Sequence, residues 1–251
     1  MLRDDLRGIW AIVRKDLRAY YLKPPNISWG ILFPFAFVLA FVIRDGARGD
    51  ISGAADLRRL LPGLIALTLL FGVTSMEAIV ITFERRIGAL ERLLLAPLRL
   101  SALLAGKLLG GMVFGLVTAV AVLAVALALF GAAGIHWLLL LAAMALSAAA
   151  FGALGILVSV AVKEVFEAQT LANAFRFPMM FLGGVFVPVA SLPPALRVVA
   201  RALPLTYAVE ALSAALGGGG WPAAALDLAV LAAFTAVLFA LAVRVMRRRI
   251  A

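Results

Sequence analysis

Residues 84–107 read ERRIGALERLLLAPLRLSALLAGK. An apolar run from about Leu60 to Phe83 leads into this stretch, and another, from about Gly106 to Phe130, leads out of it. Each run exceeds the roughly 20 residues that a helix needs to cross a hydrocarbon core of about 30 Å. Two spans joined by a charged elbow make this an all-α integral membrane chain. The terminal Ala-Gly-Lys resembles the end of a phosphate-binding loop. That reading fails, because Ser101 stands where the first glycine is needed and Leu108 where magnesium requires a hydroxyl. At helical spacing Ile87, Leu90 and Leu94 line one side, with Glu84, Gly88, Glu91 and Arg92 on another, and Pro97 imposes a break before the next span. The expectation is a short amphipathic helix parallel to the membrane; the plainer alternative is a solvated loop that only anchors orientation.

Composition agrees. Hydrophobic residues make up 65% of the 251, and the mean hydropathy is +1.11, well above a soluble domain. With 0 Cys and a single His, His136, there is no thiol chemistry, no disulfide and no histidine metal cluster. The net charge of +10 comes from residues flanking apolar runs, not from one stripe interleaved with aromatics. It points to the anionic membrane surface and away from nucleic acid.

Working outward, residues 1–25 lack the compact apolar core of a signal peptide. Leu2, Leu6, Ile9, Val13, Leu17 and Tyr20 share a face, so an interfacial amphipathic helix is expected, ended by Pro24 and Pro25. A first span follows at 26–43, then a polar loop at 44–59, whose Arg-Gly-Asp triplet is read as chance. Further spans are expected at 137–161, 170–187 and 221–243, giving about six, with a basic tail to residue 251. Between the last two, residues 188–220 are punctuated by Pro188, Pro193, Pro194 and Pro204. They read as short re-entrant or interfacial helices, with an external loop carrying a surface helix as the alternative. Of the 23 Lys and Arg residues, 17 fall on the side holding both termini and the 84–107 elbow, against 6 opposite. Both termini and the elbow are therefore expected in the cytoplasm.

The elbow and the late proline-rich segment resemble the type-two permeases of ATP-binding-cassette exporters. In the first motif Glu84, Arg85, Arg86, Gly88, Leu90, Glu91, Leu93, Leu94, Pro97, Gly106 and Lys107 follow the family's order, with Ala89 where Thr is frequent. In the second, Pro178, Gly183, Phe186, Pro188, Leu192, Pro193, Pro204, Leu205, Thr206, Tyr207 and Val209 follow the Gly-hydrophobic-Pro, Leu-Pro and Pro-Leu-Thr-Tyr run; Ser213 stands nearest to an Arg that often closes it. The resemblance implies one permease domain over 1–251, in a bacterial or archaeal plasma membrane. It also implies pairing with a second permease protomer and with separate ATPase subunits, which bind the ATP and magnesium; this chain itself needs no cofactor and is not an enzyme. Residues 84–97 would be the coupling helix, with Glu84, Arg85, Arg86, Gly88, Glu91, Arg92, Leu94 and Pro97 in the contact. Pro188, Pro193, Pro204 and Tyr207 would mark the external re-entrant motif.

By the same resemblance the pathway lies between protomers. Its candidate lining is Phe33, Phe37, Phe71, Met76, Phe175, Phe177, Met179, Met180, Phe181 and Phe186, suited to a hydrophobic or amphipathic cargo such as a drug, a lipid or a lipid-linked molecule. Glu77, about 9 Å inside Phe83 along the helix, is read as a structural or gating residue paired with an Arg; a cation or proton site and a cargo contact are the other roles. Arg176 is a candidate partner for acidic groups, and Glu164 and Glu167 for a minor ATPase contact. Gly106/Gly110 and Gly111/Gly115 are read as packing positions. Three other classes compete with this reading: an ion-coupled secondary transporter using Glu77, an intramembrane enzyme, which lacks an acid, base or metal cluster, and a non-transporting assembly partner.

Overall fold

The computed structural model describes residues 2–21, 36, 52–96, 98–131, 134–217 and 219–250. The expected first span apart from residue 36, together with Pro24, Pro25, Phe33, Phe37, Pro97 and the Arg-Gly-Asp triplet, lies outside the described residues. Among those described, all regular structure is helical. Helix α1 (Leu2–Asp16) passes into a π-helical turn (Leu17–Tyr21). It is followed by α2 (Ser52–Arg86), α3 (Ala89–Leu94), α4 (Leu100–Phe130), α5 (Trp137–Ala161), α6 (Val165–Leu182), a 3-10 turn (Val189–Ser191), α7 (Pro194–Arg201), α8 (Pro204–Leu216) and α9 (Gly220–Ile250).

Among the described residues, four helices are long and apolar enough to cross a membrane: Arg59–Arg86, Leu100–Ala128, Trp137–Ala161 and Gly220–Arg249. Within the same residues, α7 and α8, bent 85° from each other, make a fifth if they count as one broken span. Helix α6, expected as the fifth span at 170–187, has 18 residues, but Glu167, Gln169, Asn173 and Arg176 make it too polar to join that set. Helix α2 starts at Ser52, inside the stretch expected to be a loop over 44–59.

Helix α5 occupies the centre. Its Ala143, Ser147, Ala148, Ala150, Gly152, Ala153 and Gly155 are buried, and such small residues let neighbouring backbones approach closely. At Gly155 the approach is limiting: a Cβ there would lie 2.9 Å from the Thr74 carbonyl oxygen. Helix α4 uses its glycines on two faces. Gly106 and Gly110 seat Ile12 and Tyr21 of the N-terminal segment, while Gly111 and Gly115 seat Glu77 and Val73 of α2. One apolar core joins α2, α4, α5, α8 and α9. A second gathers Ile12, Ile81, Leu90, Leu103, Ile156 and Met246 from six helices at one end of the bundle.

The interfacial helix is turned differently from its expected apolar face. Ile12, Val13, Asp16 and Tyr21 are buried, whereas Leu6 faces outward at 60% exposure. The cause is the partner surface, since the groove over Gly106 and Gly110 accepts Ile12 and Tyr21 and the adjacent Lys107 draws Asp16 inward.

Candidate functional site

The second core lies beneath the elbow. Helix α2 ends where the Gly88 backbone takes φ 67°, a left-handed turn that glycine adopts without steric cost, and α3 starts at the next residue. Leu90 is anchored in the core at 2% exposure. Arg86, Ile87, Glu91, Arg92 and Leu95 face outward, Leu95 at 87%. Leu94 is half-buried.

Glu84 does not belong to that outward face. It is fully buried, its Oε2 2.5 Å from Lys107 Nζ and its Oε1 2.5 Å from Lys15 Nζ. Asp16 completes the group, at 2.8 Å from Lys107 and 3.0 Å from Lys15, through ion-pair contacts that are not directed hydrogen bonds. Two cations and two anions balance, which is what makes their burial tolerable. The cluster pins α1 to the end of α2 and the start of α4. Burial is the largest single influence on Lys15 and acts to lower its pKa; the hydrogen bond to Glu84 and the charge of Asp16 outweigh it, so the ammonium is held above its ordinary value of 10.5. Arg85 also turns away from the outer face. Its Nη1 donates to the Val162 carbonyl at 2.7 Å, and Arg249 Nη2 donates to the Ala161 carbonyl at 2.5 Å. These two cations satisfy carbonyls left open at the C-terminus of α5, where the helix dipole favours positive charge.

Deeper in α2, Glu77 is fully buried and accepts a hydrogen bond from Tyr21 Oη at 3.1 Å, while its Oε2 has no hydrogen-bond partner. Its partner is therefore a tyrosine, not the expected arginine. Arg176, also buried, donates from Nε to Thr74 Oγ1 at 2.6 Å and from Nη1 to Asn173 Oδ1 at 2.9 Å, and lies 5.5 Å from the Phe71 ring centroid. Neutral acceptors and a ring face hold it instead of a carboxylate. Glu164 and Glu167 form a reciprocal capping box at the start of α6.

The lining candidates divide. Met76 packs inside the protomer with Tyr21, Val80 and Phe114, and Met179 and Met180 belong to the main core. Flexible thioethers fill irregular gaps between helices, and these three are buried within the protomer. Phe175, Phe177 and Phe181 remain exposed on α6, Phe71 meets Phe177 edge-on with ring centroids 6.2 Å apart, and Phe186 packs partly against the core.

At the opposite end the Pro-Leu-Thr-Tyr run builds a corner. Pro204 opens α8, Thr206 Oγ1 donates to the Ala200 carbonyl at 2.6 Å and Tyr207 Oη to the Arg201 carbonyl at 2.7 Å. Pro193 precedes α7, and the Pro188 carbonyl accepts from Ser191 N at 3.0 Å. A cleft of about 820 Å³ opens beside this corner, with Arg201 and Glu210 bridged at 2.6 Å on its wall.

The charged elbow and the proline corner lie within one matched region: the model of the ABC-2 type transporter family matches residues 7–216. The chain belongs to the ABC-2 type transporter family. This permease is 28% identical over 216 residues to the inner membrane transport permease YadH of Escherichia coli, covering 82% of this chain and 80% of that one. It is 27% identical over 224 residues to nodulation protein J of Sinorhizobium fredii, covering 87% and 82% respectively. It is thus a multi-pass transport permease of a family that works with an ATP-binding subunit.

Sequence reasoning missed Lys15 and Asp16, and assigned Lys107 only to a motif. The available signal was Lys107 itself, because an ammonium inside an apolar helix requires an acidic partner.

Proposed function

We propose that this permease is half of an ATP-driven exporter. It moves a hydrophobic or amphipathic substrate, such as a drug, a lipid or a lipid-linked molecule, out of the cytoplasm, across the plasma membrane of a bacterium or archaeon. Both termini and the elbow face the cytoplasm, where separate ABC ATPase subunits dock on α3, and a second permease protomer completes the pathway. The observation that carries this reading is the division of labour at the elbow. Leu90 is locked in the core while Arg86, Ile87, Glu91, Arg92 and Leu95 are presented outward. A short helix held in this way moves as a rigid body with α2 and α4, so a push on its outer face reaches the spans. The exposed Phe175, Phe177 and Phe181 offer α6 to the pathway or to the partner protomer.

The burial of Glu84 and the capping role of Arg85 change which variants test this. Replacing Glu84 would disturb the fold, so the charges to reverse are Arg86, Glu91 and Arg92. In proteoliposomes containing the permease and its partner ABC ATPase subunits, R86E/E91R/R92E should abolish ATPase association and ATP-dependent flux at unchanged thermal stability. Wild-type association and flux in that variant would remove the elbow from the contact. The unpartnered Oε2 of buried Glu77 favours one alternative, ion-coupled transport. Flux that ignores vanadate but collapses with a protonophore and with Glu77→Gln would select it.

A further inference from the structure

The outward face of α1 carries an arrangement that neither the elbow nor the pathway uses. At 100° per residue along α1, Arg7 and Arg14 fall within about 20° of one another, and Arg18 extends the stripe onto the π-helical turn that follows. All three are exposed. Leu6 and Trp10, at 60% and 69% exposure, occupy the adjoining flank. Arg7, Trp10, Ala11, Arg14, Lys15 and Arg18 line a shallow cleft of about 370 Å³. The opposite face is committed to the bundle through Ile12, Val13 and Asp16.

From this juxtaposition we infer that the outer face of α1 is a binding site for anionic phospholipid, with the phosphate held by Arg7, Arg14 and Arg18 and the acyl-chain side met by Trp10 and Leu6. Charge and polarity both select that occupant. Guanidinium groups bind phosphate oxygens in bidentate fashion. An indole beside them matches the boundary between headgroup and hydrocarbon, where amphipathic rings sit. An acidic protein surface would satisfy the arginines but would leave Trp10 and Leu6 without an apolar counterpart. Lys15 lines the cleft and also contacts Glu84 and Asp16, so occupancy of the site bears directly on the cluster under the elbow. This inference does not depend on the exporter reading.

The test uses the full-length permease in nanodiscs of phosphatidylethanolamine with and without phosphatidylglycerol. Retained lipid is read by native mass spectrometry, and contact by quenching of Trp10 with brominated phosphatidylglycerol. Wild type should retain phosphatidylglycerol over phosphatidylethanolamine. Each basic residue near an anionic surface contributes roughly fivefold, so R7Q/R14Q/R18Q should lower that retention at least tenfold and leave phosphatidylethanolamine unchanged. The Lys triple, R7K/R14K/R18K, keeps the charge and should retain most of the binding. If the Gln triple does not fold, the single variant R14Q and a salt series on wild type carry the test, and both should weaken retention. Equal retention of the two lipids by wild type, quenching that persists in full in Trp10→Phe, or undiminished retention in the Gln triple or in R14Q would overturn the inference. So would a Gln triple that keeps lipid but loses ATPase association.

Discussion

The ammonium of Lys107 lies 2.5 Å from Glu84 Oε2, and neither side chain reaches solvent. This contact ties the root of α4 to the end of α2 across the elbow. Removing one member of a buried pair leaves an uncompensated charge and costs roughly 3–5 kcal/mol. Lys107→Met should therefore lower the thermal midpoint in detergent sharply. The double variant K107M/E84M should recover part of the loss, and a double variant no more stable than the sum of the single losses would show the pair to be uncoupled.

The glycines of α4 are not equivalent to others in the spans. A Cβ at Gly110 would stand 2.9 Å from Tyr21 Cε2, closer than packed carbon atoms sit, whereas at Gly72 the nearest atom is 3.6 Å away. Gly110→Ala should destabilise by about 1–3 kcal/mol through overpacking and loosen α1. Gly72→Ala should be neutral, or stabilising by up to about 1 kcal/mol through helix propensity. Denaturation midpoints, with crosslinking between α1 and α4, check the contrast.

Lys15 titrates at the join between α1 and α2. Its pKa is raised in the folded protein, so its contribution is fully present below 10.5 and is lost as pH rises through the higher folded value. Docking of α1, followed by the fluorescence of Trp10, should stay flat from neutral pH to about 10. It should weaken above that, and Lys15→Gln should remove the alkaline step.

Arg85 donates to the Val162 carbonyl at the end of α5. Arg85→Met should cost about 1–2 kcal/mol and speed hydrogen exchange in the last turn of α5, while exchange in its first turn is unchanged. Equal rates throughout α5 would mean that the guanidinium does not cap that terminus.

The proline corner makes a comparable demand. Tyr207 Oη donates to the Arg201 carbonyl, and the Arg201 guanidinium lies 6.0 Å from the Tyr207 ring centroid. Tyr207→Phe removes one hydrogen bond and should cost about 1 kcal/mol. Tyr207→Ala also removes the ring and should cost more. Calorimetric midpoints for the two variants separate these contributions.

Much of this was legible in residue order. Apolar run lengths, the charged break at 84–107 and the prolines of 188–220 follow from hydrocarbon thickness and from the missing amide of proline, both of which act locally along the chain. The amphipathic character of residues 2–21 belongs to the same class, whereas the left-handed turn at Gly88 interrupts the stretch 84–97 that was expected to form one helix. What sequence alone could not determine was facing. Glu84 and Arg86 are two residues apart and both ionised, yet one is buried against Lys15 and Lys107 and the other is exposed. Met179 and Phe181 divide in the same way between core and surface. Only the tertiary structure decided these, because the rotation of a helix is set by the partner it meets: the groove over Gly106 and Gly110 and the buried ammonium of Lys107 oriented α1, and contacts made across 56 to 102 residues of chain placed Tyr21 on Glu77 and Arg176 on Thr74.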